Sequence, residues 1–141
     1  MGSYKKSAIS ILVNPKGQIL LQLRDNKPWI LCPNQWGFIG GGIEEGETEF
    51  EAIKRETKEE IGLEIDNFQY IDCFYDQENK IDVSLFIGAL DISAEEIKVG
   101  EGQGVKFFYP SEINNLKMIK ILKEMINKHS DKIFDRTYRV D

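Results

Sequence analysis

The sequence predicts an α/β domain in which a mixed β-sheet lies between helices. Three observations carry that class. Strand-like stretches fall on both sides of one well-capped helix, and a second helical region lies towards the end of the chain. The 141 residues, 41% hydrophobic and 30% charged, fit one domain (residues 1–141) large enough to bury its own core. No repeat, low-complexity tract or linker interrupts the order of elements.

Lys5 to Val13 alternates well enough for a strand, and Asn14-Pro15-Lys16-Gly17 is a turn by composition. Gln18 to Arg24 reads as a buried strand paired to the first. Asp25 to Gln35 is a long loop holding two prolines and Trp29, and loops of that length in compact domains often carry function. Trp36-Gly37-Phe38 is a short strand leading into Gly40-Gly41-Gly42, which reads as a bare loop open to close backbone approach by a phosphate or a metal-bound group. Thr48, with Glu51 three residues on, starts a helix through a capping box, and Gly62 suits the left-handed residue that ends it. Phe68 to Asp76 and Lys80 to Leu90 read as strands joined through Gln77-Glu78-Asn79. Residues 91–104 are irregular, and Val105 to Tyr109 is a further strand. Pro110-Ser111 opens a helical region with Leu116, Ile119, Leu122 and Ile126 at helix spacing. Its lysines, Lys117, Lys120, Lys123 and Lys128, form the solvated face.

Composition narrows the function classes. A formal net charge of −6 argues against a non-specific nucleic-acid binder. The apolar run Ala8 to Val13 is too short to span a membrane and lacks a small-residue cleavage site, so a cytoplasmic protein with no membrane partner is expected. Cys32 and Cys73 have no metal-site spacing and are expected as reduced thiols. His129 is the single histidine, so a His-rich zinc site is not available, and a nucleophilic triad would have to recruit it from the tail. It is expected to favour a helix dipole and cap carbonyls.

On a wheel of about 100° per residue, Phe50, Ile53, Thr57 and Ile61 make the buried stripe of the first helix. Glu56, Glu59 and Glu60 fall together beside it, while Lys54, Arg55 and Lys58 point elsewhere. Like charges at this spacing repel, more so beside an apolar seam where water screens less. Such a patch is either a solvated acidic face or a site for a neutralising cation, and hard carboxylate oxygens favour Mg²⁺ or Mn²⁺.

The wider spacing decides between these. Gly41, five residues, Glu47, seven residues, Arg55-Glu56, two residues, Glu59-Glu60, one residue, Gly62-Leu63 resembles the signature of the Nudix hydrolase family. Two positions depart from it: Thr57 stands where the family usually has an aliphatic residue, and Ile39 where related sequences usually place proline. Thr57 is expected to bond back to a helix carbonyl with a small loss of packing.

The resemblance implies a Nudix-type α/β/α sandwich and hydrolysis of a diphosphate linkage in a nucleoside diphosphate bearing a further group X. It implies Mg²⁺, with Mn²⁺ as substitute, on Glu56, Glu59 and Glu60, with the Gly40 carbonyl as a further ligand. Glu60, nearest the stripe, should be the best desolvated, and Glu56 or Glu59 could help deprotonate water. Glu47 and Arg55 are expected to brace loop and helix by an ion pair whose loss weakens catalysis through geometry. Gly40 and Gly41 are expected against the phosphates. Glu101 is either a fourth carboxylate of the metal site or a solvated turn residue, and Arg24 either contacts phosphate or base or pairs with Asp25 or Glu44. Asn115 either reads a base edge or caps a helix, and among the aromatics Trp29 and Tyr75 are the expected stacking surface.

The first substrate class is a nucleoside triphosphate, including oxidised forms; nucleotide sugars and dinucleotides come next. A nucleotide sensor without turnover would typically have lost motif carboxylates, and all are present. A prenyl diphosphate isomerase of this fold would need a cysteine–glutamate pair that the chain does not obviously supply. A monomer or a homodimer is expected.

Overall fold

Successive side chains of a strand point to opposite faces of a sheet, and in β1 (Lys5–Val13) both sets are apolar. Ala8 and Leu12 enter one hydrophobic core while Ile9, Ile11 and Val13 enter another, so β1 is covered on both sides. The computed structural model describes residues 5–30, 33–100 and 102–137, with side chains described as far as residue 133. β1 runs parallel to β6 (Ile81–Ala89) over its whole length, and β6 pairs antiparallel with β5 (Gln69–Asp76). At its far end β1 pairs antiparallel with β2 (Ile19–Leu23), which also pairs with β3 (Trp36–Gly37) and β7 (Gly104–Phe108). The first half of β1 pairs instead with β4 (Ile39–Gly42). The result is a mixed sheet ordered β3-β2-β1-β6-β5 with β4 and β7 joined to β1 and β2.

One face carries α1 (Glu49–Ile61), whose ends are as its sequence dictates. Thr48 accepts from the Glu51 amide, Glu51 accepts from the Thr48 amide, and Gly62 closes the helix at φ 70°. Ile53, Thr57 and Ile61 are fully buried, and the Thr57 hydroxyl donates to the Ile53 carbonyl at 2.7 Å. The other face carries α2 (Lys120–Lys128) and α3 (Ser130–Thr137), through Leu122, Met125, Ile126 and Ile133. This is the α/β/α sandwich.

Four expectations need correction. The triple glycine is not a loop: Gly40, Gly41 and Gly42 pair with Ile9, Ala8 and Ser7 as the body of β4. Phe50 is 40% exposed, meeting the edge of Phe86 with Lys54 over its ring, while Ala52 takes the buried place. Leu116 and Ile119 are not helical: Pro110–Asn115 forms a short 3₁₀ turn, Trp36 pairs with Met118 in an extended segment, and α2 starts only at Lys120. Tertiary pairing there overrides the helical periodicity.

His129 is the C-cap of α2 as expected, its backbone N–H donating to the Met125 carbonyl at 3.0 Å, but its ring does not bond carbonyls. Its buried ring lies with Nε2 2.8 Å from Asp72 Oδ2, which also accepts from Lys128 Nζ at 2.8 Å, so Lys128 is not simply part of a solvated face. These bonds tie the end of α2 to β5. The Lys128 ammonium, against an opposing effect of burial and with help from His129 and the Cys73 amide, holds the Asp72 carboxyl at about 2. Cys73 is an exposed free thiol; Cys32 lies outside the described residues. No helix among the described residues is long and apolar enough to cross a membrane.

A carboxyl whose folded value is depressed contributes stability that is present above its unfolded value and lost as pH falls through the folded one. Asp72→Asn should therefore flatten the loss of stability between about pH 4 and about pH 2. Urea midpoints of both proteins across that window check it; parallel curves would contradict the clamp.

Candidate active site

The site begins where β4 and α1 touch. Gly40 sits at φ +148°, and a Cβ there would collide with the Ala8 carbonyl and Ile9 Cα of β1. A Cβ on Gly41 would lie 2.7 Å from the Glu56 carboxyl. Only glycine allows so close an approach of strand to helix. Across the gap the Gly40 amide donates to Glu60 Oε1 at 3.1 Å, and Glu60 is buried at 3% exposure.

Arg55 lies over the same patch rather than pointing away from it. Its Nε donates to Glu47 Oε2 at 2.7 Å and its Nη2 to Glu47 Oε1 at 3.0 Å and the Gly42 carbonyl at 2.9 Å. Nη1 donates to Glu56 Oε1 at 3.0 Å and reaches both Glu59 oxygens at 3.2 and 3.3 Å. One guanidinium thus joins the loop before α1, the end of β4 and two carboxylates of the helix. The Glu47 bond is the largest of the causes that raise the Arg55 pKa, and the same bond, with the Glu44 amide, lowers that of Glu47. Glu56 is mostly covered, with its side chain 12% exposed, whereas Glu59 is 49% exposed. Glu56 and Glu60 therefore face the glycine strand, and Glu59 reaches the patch through Arg55.

β4 pairs only with β1 among the described strands. Its glycines also line a cavity of about 300 Å³ whose walls are Phe38, Phe74, Val83, Ile119, Ile121 and Leu122, with Arg24, Asp76 and Asn79 as its main polar groups. Gly40 and Gly41, without side chains, therefore border both the cavity and the carboxylates of α1. A larger hollow lined by residues 63–67 and 89–92 holds none of this chemistry.

The donor set fits a magnesium ion. Glu56 and Glu60 offer hard oxygens beside a strand stripped of side chains, and Mg²⁺ is commonly held by one or two carboxylates with water and phosphate completing the shell. No three carboxylates or other ligating side chains among the described residues converge into a cage by themselves.

Of the other expected site residues, Arg24, Gly40 and Gly41 line the cavity. Trp29 does not; it is 77% exposed with Lys27 over its ring. Tyr75 is exposed outside the cavity, and Asn115 is exposed at the end of the 3₁₀ turn, where it neither lines the cavity nor caps a helix start. Glu101 lies outside the described residues, but the Gly100 amide before it donates to the Glu60 carbonyl at 2.7 Å. Phe74, Asp76, Asn79, Ile119 and Ile121 were not foreseen as site residues. The Asp76-to-Asn79 spacing across a turn was the one legible hint, since such residues bond their own backbone.

A sequence-family model described as the NUDIX domain matches residues 3–129. The chain belongs to the Nudix family, and it is an enzyme of the pyrophosphohydrolase class. It is similar to the ADP-ribose pyrophosphatase of Methanocaldococcus jannaschii, 30% identical over 123 residues that cover 86% of this chain and 70% of that one. Its fold matches a mutT/nudix family protein from Listeria innocua at TM-score 0.78 and 20% identity, covering 96% and 97% of the two chains. It also matches the NUDIX domain of Shewanella oneidensis NrtR, a structure in complex with ADP ribose, at TM-score 0.78 and 14% identity over 94% and 90%.

Arg55→Lys keeps the charge but not the planar fork that holds four partners. The substitution should lower kcat/KM by roughly tenfold or more, the usual effect of disturbing a supporting bond. Steady-state kinetics with a circular dichroism control test it; unchanged kinetics would deny Arg55 its bracing role.

Proposed function

We propose that this enzyme cleaves the diphosphate bond of a nucleoside diphosphate joined to a sugar, the class to which ADP-ribose belongs, with Mg²⁺ bound at Glu56 and Glu60. The observation that carries the reading is the glycine strand. It borders the cavity on one side and the Glu56 and Glu60 carboxylates on the other, so a diphosphate chain can cross it without meeting a side chain.

The nucleoside end fits the cavity, where an apolar lining accommodates a base and a few polar groups orient it. Bound magnesium would supply charge neutralisation on the phosphate oxygens and a more acidic water. Glu60 is held for ligation by the Gly40 amide and its own burial, and the Gly40 carbonyl is a further candidate ligand. Glu56 lies against Gly41, close enough to the strand to bind metal or take a proton from water. Glu59 is the exposed member, tied to Arg55, and suits a role in positioning or proton transfer at the rim. Arg24 is the cation placed to meet phosphate charge from the cavity side.

The sugar-linked class stands ahead of the triphosphate reading for two reasons. A relative that matches 86% of this chain carries the name of an ADP-ribose pyrophosphatase. Asn115, the residue that would have favoured an oxidised base, is outside the cavity. A nucleoside triphosphate is the second reading, favoured by Lys5 and Lys6, which line an open groove next to Gly42 and Glu47 where a terminal phosphate would find positive charge.

Glu60→Gln retains an acceptor for the Gly40 amide but removes the charge. It should cut kcat roughly 100-fold or more with the fold intact. Turnover of ADP-ribose and of nucleoside triphosphates with Mg²⁺, scored by phosphorus NMR of the products, tests both claims. Near-wild-type rates in the variant would exclude the metal role, and turnover of triphosphates alone would reverse the order of the substrate classes.

A further inference from the structure

We propose that Gln103 is a positioning residue for the phosphate chain of the substrate, acting through Arg24; this rests on the reading of Arg24 as the cation that meets that chain. Arg24 is the one cation among the described residues that line the cavity. It stands one residue past the end of β2, where the strand ladder no longer fixes the backbone. A long side chain on a loose backbone points in many directions. A group that must meet a phosphate needs support for its own geometry.

Gln103 supplies that support from 79 residues further along the chain. β7 pairs with β2 as far as Gly104 opposite Leu23, and the Gln103 amide N–H still donates to the Leu23 carbonyl at 2.8 Å. Beyond that point the side chain takes over. Gln103 Nε2 donates to the Arg24 carbonyl at 2.8 Å, and a carbonyl can only accept, so the NH₂ end of the side chain is the end that faces it. The same nitrogen, with two hydrogens to give, donates to Asn34 Oδ1 at 2.9 Å. On the other side of Arg24, its amide donates to the Gln35 carbonyl at 3.0 Å, and the Asn34 amide donates to the Asp25 carbonyl at 3.0 Å. The amide and the carbonyl of Arg24 are therefore both bonded to residues outside its own strand. These bonds fix the direction in which the Arg24 side chain leaves the chain.

The residues around Gln103 are also registered on α1. The Gly100 amide donates to the Glu60 carbonyl at 2.7 Å, and a Cβ at Gly100 would strike the Glu59 carbonyl. Gly102 takes φ +82°, and a Cβ there would lie 2.8 Å from the Leu23 carbonyl oxygen. Glycine thus allows close contact with the end of the acidic helix at one point and with the end of β2 at the other. Gln103 adds a side-chain bond to the residue that carries the charge. Together Gly100, Gly102 and Gln103 set where Arg24 stands relative to the helix of Glu56 and Glu60.

The test is a double-mutant cycle on Gln103 and Arg24, read as calorimetric binding of ADP in the presence of Mg²⁺. Gln103→Met keeps the side chain's size and neutrality but donates no hydrogen bond. It should weaken ADP binding roughly threefold to tenfold, the effect of losing one such bond. Arg24→Ala should weaken binding by at least as much, and adding Gln103→Met to it should change nothing further. Damage to the fold would lower affinity in both backgrounds, so the missing effect in the double variant separates positioning from damage. Gln103→Ala serves if the methionine variant fails to fold. Wild-type affinity in a folded Gln103 variant beside a weakened Arg24→Ala, or additive losses in the double variant, would overturn the proposal and leave the reading of Arg24 standing. ADP binding untouched by Arg24→Ala would remove that reading and the proposal with it. A protein that gives the expected cycle yet cleaves no nucleotide substrate would count against the reaction and uphold the role of Gln103.

Discussion

A helix can rest its carboxylates on a β-strand only where that strand has no side chains in the way, and the rest of the site follows from this close approach. Gly40 presents its amide to Glu60, and Gly41 presents nothing at all to Glu56. Any larger residue at Gly40 would strike β1, and at Gly41 would push against the Glu56 carboxyl. The separation is set from the other side as well. Ile53, Thr57 and Ile61 are fully buried, so α1 is held at its depth by packing while its acidic edge reaches the strand. Glycine is costly in strand entropy and supplies no core contact. Here both neighbours of β4 gain from it: β1 receives a hydrogen-bonded partner, and the helix receives a bare floor.

Arg55 changes the electrostatic argument. Three glutamates at i, i+3 and i+4 repel, and that repulsion by itself calls for a cation. The protein supplies one internally: a single guanidinium bonds Glu56 and Glu59 and anchors itself on Glu47 and the Gly42 carbonyl. Charge repulsion alone therefore does not require a metal ion. Glu60 stands apart from that fork, with its Oε1 accepting from the Gly40 amide instead. Arginine suits this bridging role because its planar fork reaches several acceptors at once, where a lysine would offer a single point charge.

Local rules were legible where the determining partners lie within a few residues. The capping box at Thr48 and Glu51, the left-handed Gly62 and the back-bond of Thr57 all depend on residues at most four apart. The burial of Glu60 was legible from the wheel, because a helix in contact with a sheet has one buried edge and Glu60 lies nearest it. Three other features depended on distant partners. The glycines read as a loop because nothing local says that Ser7 to Ile9 will pair with them. The segment from Leu116 to Ile119 has helical spacing, but Trp36 and Met118 draw it into an extended bridge. His129 sits at a helix end, as its position implied, and is turned to Asp72, 57 residues earlier in the chain.

The clamp at Asp72 links these long-range features to the cavity. β5 supplies Phe74 and Asp76 to the cavity, and the start of α2 supplies Ile121 and Leu122. The same β5 carries Asp72, and the end of the same α2 carries Lys128 and His129. Two walls of the cavity are thus held to each other by charged bonds away from the cavity itself. The carboxylates of α1 belong to a different packing unit on the other face of the sheet, in contact with the cavity only along the glycine edge. Because a sheet separates the two, changes of side chain on β5, its turn or α2 reshape the cavity without touching Glu56 or Glu60. The division also explains why the acidic helix conforms to a recognisable spacing while the cavity walls do not. The acidic edge of α1 is fixed by its contact with Gly40 and Gly41 and by the Arg55 fork, whereas the cavity walls are set by the packing of β5 and α2.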